Sequence, residues 1–206
     1  YGRVDIDMLA GPSEVCILGD QQSNSLFMAY DLLSQLEHDT MAIGTLISVD
    51  KTVLESTRRE LNKALPHFPR SEIMRESAKN LRYFWVPDWE TGFELVDQLA
   101  PEHLEVHLDS QESREYPFRA GAVFFGDHSP VALGDFFGGP NHVLPTAGRA
   151  RFSSPLSVYD FFRRSSVIHY GKEKMFREGK WIEILADREG LEAHRQSVAV
   201  RLADRK

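Results

Sequence analysis

The sequence predicts an α/β fold, in which an incomplete Rossmann-like parallel sheet carries helices on both faces and is followed by a helical C-terminal arm. Two observations support this prediction. Short apolar runs alternate with stretches of helical periodicity from about residue 14 to residue 137. Beyond Pro140 the alternation stops, and helical segments joined by short loops follow. We therefore divide the chain into an α/β domain, residues 1–145, and a helical arm, residues 146–206.

Short apolar runs are typical of strands that are buried on both faces of a parallel sheet. Such runs lie at residues 14–19, 43–49, 83–86 and 120–126. The first of them is bounded by Gly11-Pro12 and Asp20. Because ligands of open parallel sheets bind beside the carboxyl ends of the strands, we expect the functional residues at that edge.

Apolar residues at helical spacing predict the helices of both parts. In the α/β domain these helices cover residues 22–38, 51–65, 71–79, 89–99 and 131–137. In the arm they cover residues 157–165, 172–186 and 190–204.

Composition and charge exclude several classes of protein. The chain has 24 basic and 31 acidic residues and a net charge of -7, without a basic cluster, so we expect no nucleic-acid partner. No run of about 18 apolar residues is present, so we expect no membrane span. Cys16 is the single cysteine; it excludes an internal disulfide and indicates a reducing, cytoplasmic location. Its apolar surroundings predict an inert buried thiol.

Two pairs of polar residues are candidates for chemistry. Gln35 and His38 are three residues apart near a predicted helix end, so both can reach one point. Taken alone, a polar helix end explains them better, since the helix dipole favours histidine there. Glu102 and His103 lie at a loop-to-strand corner after Pro101, and a Glu–His pair suits proton transfer near neutral pH. Taken alone, an exposed turn explains this second pair.

The glycine-rich segment 134–142 is a more specific pattern. Its glycines allow close or left-handed backbone, which would bring Asp135 and His142 onto a strand-end loop. A functional and a structural role are evenly balanced for both residues. Ser13 is weak evidence of a site, because the pattern G-x-S-x-G of a nucleophile elbow fails at Val15. The other histidines that lack a ligand-type companion are interpreted as structural or surface residues, namely His67, His107, His128 and His169.

Five segments in a common order resemble the histidinol dehydrogenase family, and the likeness runs nearly end to end. They are residues 6–15 (IDMLAGPSEV), 31–39 (DLLSQLEHD), 100–105 (APEHLE), 139–161 (with GPNHVLPT, RFSS and LSVYDF) and 190–194 (GLEAH). Each motif is weak alone, but five such strings in one order make a chance similarity an inadequate explanation.

The resemblance implies an enzyme that oxidises L-histidinol through L-histidinal to L-histidine with two NAD, in the last steps of histidine biosynthesis. It implies one Zn²⁺ per subunit and a homodimer with shared active sites. It also implies that His103 takes the hydroxyl proton and that Glu102 activates a water. The implied zinc ligands are Gln35, His38, Asp135 and His194, the last from the partner subunit. The implied substrate contacts are Ser13, Gln35, His38, His103, Asp135, His142, Glu189 and His194.

The resemblance covers only the C-terminal half of the family, and the chain begins at Tyr1 rather than Met. We therefore expect that the N-terminal half is missing. The NAD contacts are expected in that half, so the cofactor-binding residues are unknown here, and little or no turnover is expected of these 206 residues alone. Asp97 stands where the family suggests Asn, and Gly19 stands where Ala is usual. The first of these changes affects a helix end close to the expected catalytic pair.

Three other interpretations remain open. A paralogous zinc- and NAD-dependent dehydrogenase of another polar alcohol, such as a sulfonated diol, would share these segments. Asn141-His142, Glu189 and His194 favour histidinol over that alternative. A non-catalytic metal-binding α/β module is the second, although structural zinc sites are usually rich in cysteine. A plain α/β domain without metal is the third, and metal analysis would distinguish it.

Overall fold

The computed structural model describes residue 4 and residues 6–204, which form two compact units. The first unit ends at Phe161 and the second begins at Phe162. Residues 146–161 thus group with the first unit, whereas the sequence-based division placed them in the arm. The expectation that the N-terminal half is missing rested partly on Tyr1, which lies outside the described residues.

A parallel sheet of five strands forms the centre of the first unit within the described residues. Its strands are β1 (Glu14–Leu18), β2 (Ile43–Ser48), β3 (Arg82–Trp85), β4 (His103–Val106) and β5 (Ala122–Phe125). Their order is β3-β2-β1-β4-β5, so the winding direction reverses between β1 and β4. The predicted α/β class with a parallel sheet is confirmed. β4 was not predicted as a full strand, because polar residues alternate with Leu104 and Val106 and no continuous apolar run results.

Helices cover both faces of this sheet, as predicted. They are α1 (Ser25–Leu36), α2 (Lys51–Ala64), α3 (Ser71–Ser77), α4 (Trp89–Leu99), α5 (Gln111–Glu115) and α6 (Val131–Phe136). Apolar residues of α1, α2, α3 and α6 pack with one sheet face, on which Val15 and Ile17 lie. Apolar residues of α4 pack with the other face, which includes Cys16. Cys16 is 1% exposed, so the predicted buried thiol is confirmed.

Two helix ends position the residues of interest. α1 begins after Asn24, whose side chain accepts hydrogen bonds from the Leu26 and Phe27 N–H groups. It ends at Leu36, so the helix predicted over residues 22–38 is shorter at both ends, and His38 lies beyond it. α4 ends as predicted, and Ala100 after it takes the left-handed conformation with φ 47°, which turns the chain into β4.

The second unit contains α7 (Lys172–Arg188) and α8 (Glu192–Ala203), as predicted for the arm. The helix predicted over residues 157–165 is wrong, since the structure has only a short 3₁₀ turn at Val158–Phe161. Local hydrogen bonds of Ser157 with the Asp160 carboxylate compete with a longer helix there. Among residues 4 and 6–204 no helix is long and apolar enough to cross a membrane.

Candidate active site

The candidate residues lie near the amino ends of β1 and β4. Ser13 immediately precedes β1, Glu102 precedes β4, and His103 is the first residue of β4. The candidate residues thus lie at the edge opposite to the carboxyl ends, where functional residues were expected. Helices that follow parallel strands run back along the sheet, so their C-terminal ends lie near the amino ends of the strands. Gln35 and Asp135 lie near the C-terminal ends of α1 and α6 and therefore reach this amino edge.

His103 has a tautomer that is fixed by the backbone. Its Nδ1 lies 3.0 Å from the carbonyl oxygen of Glu14. A carbonyl oxygen can only accept, so Nδ1 carries the proton and Nε2 of the neutral ring keeps a free lone pair. Nε2 is buried without a hydrogen-bond partner among the described residues and lies 3.9 Å from Oδ1 of Asp135. Burial lowers the pKa of His103, so the neutral ring prevails near neutral pH.

Glu102 lies beside this ring and shares the same anchor. Its Oε2 accepts a hydrogen bond from the Glu14 N–H at 2.9 Å and lies 3.5 Å from Nδ1 of His103. Burial raises the pKa of Glu102 to about 7, and the charges of Glu14 and Asp135 act in the same direction. A carboxyl group with a pKa near neutral can both accept and release a proton under physiological conditions.

Glu14 was not singled out from the sequence, although it contacts both members of the pair. Its N–H donates to Glu102, and its carbonyl oxygen accepts from His103. Its own carboxylate accepts a hydrogen bond from the Ala147 N–H at 3.0 Å, and burial raises its pKa. Ala147 has φ 55°, so this bond also stabilises a left-handed turn. The sequence offered one signal, which is the position of Glu14 at the first residue of a buried strand.

Of the predicted zinc ligands in the first unit, Asp135 and His38 lie near His103. Asp135 contacts it as described, and the positive charge of His38 contributes to lowering the pKa of His103. Gln35 is 2% exposed at the end of α1. Its buried amide, the Asp135 carboxylate and the His38 ring offer oxygen and nitrogen donors, which suit zinc. The unpartnered Nε2 of His103 beside a carboxylate also fits a site that is completed by a bound group.

A cavity of about 330 Å³ opens next to these groups. His103 and Asp135 line it on one side, and His142 lines it from the glycine-rich loop. Gly134 lets α6 approach the sheet, because a Cβ there would lie 2.7 Å from the Phe124 ring. The cavity therefore has room for a small molecule beside His103.

Two of the predicted residues lie in the second unit. His194 is in α8, and Glu189 follows the last residue of α7. Their participation in the site stays a prediction.

A second polar cluster was missed in the sequence. Among the described residues, one group of metal-ligand side chains has all its ligand atoms within 4.8 Å of one another, namely Asp31, Glu105 and His107. The interpretation of His107 as a residue without companions is wrong, because its Nδ1 lies 2.8 Å from Oδ1 of Asp127 and its Nε2 lies 3.3 Å from Oε2 of Glu105. The signal was the alternation His103-x-Glu105-x-His107, which places three polar side chains on one strand face.

Comparison with known proteins agrees with the resemblance seen in the sequence. The family model described as histidinol dehydrogenase matches residues 1–202. The histidinol dehydrogenase of Listeria monocytogenes serotype 4b is 43% identical over 99% of this chain and 48% of its own length. That of Acinetobacter baylyi is 44% identical over 98% of this chain and 47% of its own length.

A solved structure is also similar. The crystal structure of histidinol dehydrogenase from Elizabethkingia anophelis superposes with a TM-score of 0.88 at 34% identity, over 97% of this chain and 46% of that one. The chain spans about half the length of the relatives that it matches. Because the family model matches nearly all residues of this chain, the chain belongs to the histidinol dehydrogenase family.

Proposed function

We propose that this chain supplies the zinc-binding and acid–base part of an enzyme that oxidises L-histidinol through L-histidinal to L-histidine with two NAD, in histidine biosynthesis. One observation carries the proposal most directly. Nε2 of His103 is a buried nitrogen with a free lone pair, fixed by Glu14 and placed beside Asp135 at a cavity.

His103 is the base of the first oxidation. An alcohol releases hydride from carbon readily only as its hydroxyl proton leaves, and Nε2 of His103 is the acceptor of that proton. When bound, zinc would fix the amino alcohol near Gln35, His38 and Asp135, and NAD would accept the hydride. The Nδ1–H contact with the Glu14 carbonyl stabilises the ring once it is protonated.

Glu102 is the base of the second oxidation. The aldehyde gains a water before it can lose a second hydride, and a carboxylate must take a proton from that water. With a pKa of about 7, Glu102 is partly deprotonated at neutral pH, and its burial leaves it weakly solvated. Its position beside His103 lets the two residues act on the same carbon in successive steps.

The remaining contacts belong to the same proposal. Ser13 and His142 contact the substrate, and their positions beside Glu14 and along the cavity support this role. Glu189 and His194 complete the site from the partner subunit of a homodimer, with one Zn²⁺ per subunit. We place the enzyme in the cytoplasm, in keeping with its single buried cysteine.

The test is the kinetics of the two half-reactions in the enzyme that carries this chain. Glu102→Gln should slow histidinal oxidation by about 10²–10⁴-fold and histidinol oxidation far less. His103→Asn should slow histidinol oxidation by a similar factor. Equal losses in both half-reactions for Glu102→Gln would contradict this division of roles. Faster turnover of a sulfonated diol than of histidinol would instead identify a paralogous dehydrogenase.

A further inference from the structure

Glu105 lies on the same face of β4 as His103, two residues further along the strand. It is 1% exposed, yet no step of the proposed reaction uses it. Its Oε1 accepts a hydrogen bond of 2.8 Å from the N–H of Val131, the first residue of α6. A buried carboxylate that accepts from the first N–H of a helix fixes the position of that helix strongly, since such a bond is charge-assisted.

Two pairs of residues therefore face each other across β4 and α6, and the first of them is joined by the hydrogen bond. Glu105 meets Val131, and His103 meets Asp135, with 3.9 Å between Nε2 and Oδ1. Two strand residues span about 6.6 Å and four helix residues span about 6 Å, so the two pairs have nearly the same spacing. The hydrogen bond between Glu105 and Val131 therefore fixes where α6 lies along β4, and so places Asp135 opposite His103.

The segment that leads into α6 is held at a second point. Asp127 follows β5, and its carboxylate lies 2.8 Å from Nδ1 of His107, while Nε2 of the same ring faces Glu105 at 3.3 Å. Burial lowers the pKa of His107, but the hydrogen bonds to Glu105 and Asp127 outweigh it and raise the pKa above its usual value. His107 thus bridges the two carboxylates and connects the segment before α6 to β4.

Helix α1 also approaches Glu105 and His107, through Asp31. The ligand atoms of Asp31, Glu105 and His107 lie within 4.8 Å of one another. Gln35 follows Asp31 by one helical turn on the same face of α1. The helices that carry Gln35 and Asp135 are therefore both tied to β4 around Glu105.

We propose that Glu105 is a positioning residue, which sets α6 and hence the Asp135 carboxylate against His103. The inference rests on the proposed role of Asp135 as a zinc ligand. It assigns Glu105 no contact with zinc or substrate.

The test compares Glu105→Ala with Glu105→Gln in the full chain, using zinc affinity from chelator competition. Glu105→Ala should weaken zinc binding by about 10–100-fold, the usual cost of losing a partner that orients a ligand. Glu105→Gln keeps an oxygen that accepts from Val131, so it should retain most of the affinity. Amide hydrogen exchange of Val131 in the metal-free protein gives a second readout, with protection lost in Glu105→Ala and kept in Glu105→Gln.

Two controls separate the possible failures. Val96→Ala, in α4 on the other sheet face, should lower stability without changing zinc affinity or the protection of Val131. Zinc affinity unchanged in Asp135→Ala would overturn the ligand assignment of the proposed function. Zinc affinity lost in Asp135→Ala but unchanged in Glu105→Ala would overturn the positioning role alone. An equal loss of affinity in Val96→Ala and Glu105→Ala would also overturn it, as a mere effect of stability.

Discussion

The carbonyl oxygen of Glu14 lies 3.0 Å from Nδ1 of His103, and the N–H of the same Glu14 donates to the Glu102 carboxylate at 2.9 Å. One peptide segment of β1 thus orients both members of the proposed acid–base pair at the start of β4. Backbone groups of a central strand move little, so the pair is preorganised without a network of side chains. This arrangement depends on the register of β1 and β4, in which Val15 is paired with His103.

Glu102→Gln should stabilise the metal-free chain at alkaline pH. Glu102 has an ordinary pKa of 4.5 when unfolded and about 7 when folded, so the folded state binds more protons between those values. Its contribution to the free energy of unfolding therefore falls as pH rises from about 4.5 to 7. Glu102→Gln has no carboxyl group to ionise, so its free energy of unfolding should exceed that of the parent by roughly 1–3 kcal/mol at pH 8.

Urea unfolding at pH 4.5 and pH 8 measures this difference. Since Glu102 is protonated in both states below pH 4.5, the advantage of the variant should shrink there. An advantage of equal size at both pH values would mean that the substitution acts through packing and not through the carboxyl charge.

Much of the fold could be predicted because helical and strand periodicity reflect burial directly. α4, for example, was predicted with its observed bounds, since Asp88 caps its start and Pro101 follows its end. β4 was harder, because one of its two buried faces is polar. Two of the polar side chains, Glu105 and His107, have partners at the start of α6 and in the loop after β5, and such long-range partners leave no local signal.

The candidate site was predictable in its residue types but not in its place. Resemblance indicated Gln35, His103 and Asp135, whereas the general rule for parallel sheets pointed to the opposite edge. Two of these residues, Gln35 and Asp135, lie near helix C-termini, which brings them to the amino edge of the sheet. The role of Glu14 depends on its backbone, for which the side-chain type gives no indication.

Gly121→Ala should destabilise the fold next to Glu102. A Cβ at Gly121 would lie 2.6 Å from the backbone oxygen of Glu102, and the Gly121 N–H already donates to the Pro101 oxygen. Backbone must therefore shift at the start of β5. We expect a loss of about 1–3 kcal/mol in the free energy of unfolding, as for overpacked interiors.

Gly171→Ala is the matched control for this change, because a Cβ there meets nothing within 4 Å and its φ is -69°. Chemical denaturation should show a loss of about 1 kcal/mol or less for this control, since alanine is a poorer N-cap residue of α7 than glycine. A loss as large as that of Gly121→Ala would show that glycine-to-alanine changes destabilise this chain without a clash.

His194→Asn should lower the zinc content if His194 completes the metal site. An asparagine offers a weaker donor at a different reach, and loss of one of the four proposed ligands should reduce zinc affinity strongly. Metal analysis after dialysis against a chelator provides the measurement. Zinc retained in full by His194→Asn would remove His194 from the set of ligands. Glu192→Gln, two residues earlier in α8, is the control for changes to the helix itself.

His107→Gln should destabilise the chain most at acidic pH. The folded pKa of His107 is raised above 6.5, so the stabilisation from its charge is fully present below pH 6.5 and is lost as pH rises through the folded value. Removing the ring leaves Glu105 and Asp127 without their bridge, and we expect a loss of roughly 2–4 kcal/mol at pH 6.

Unfolding measurements at pH 6 and pH 9 decide between a charged bridge and simple packing. The difference between parent and variant should be smaller at pH 9 than at pH 6, because the protonated fraction of the ring in the parent falls as the pH rises. His67→Gln is the control, because His67 is an exposed residue in the turn after α2. A pH-independent deficit in His107→Gln would show that the ring fills space on β4 and does not link the carboxylates by its charge.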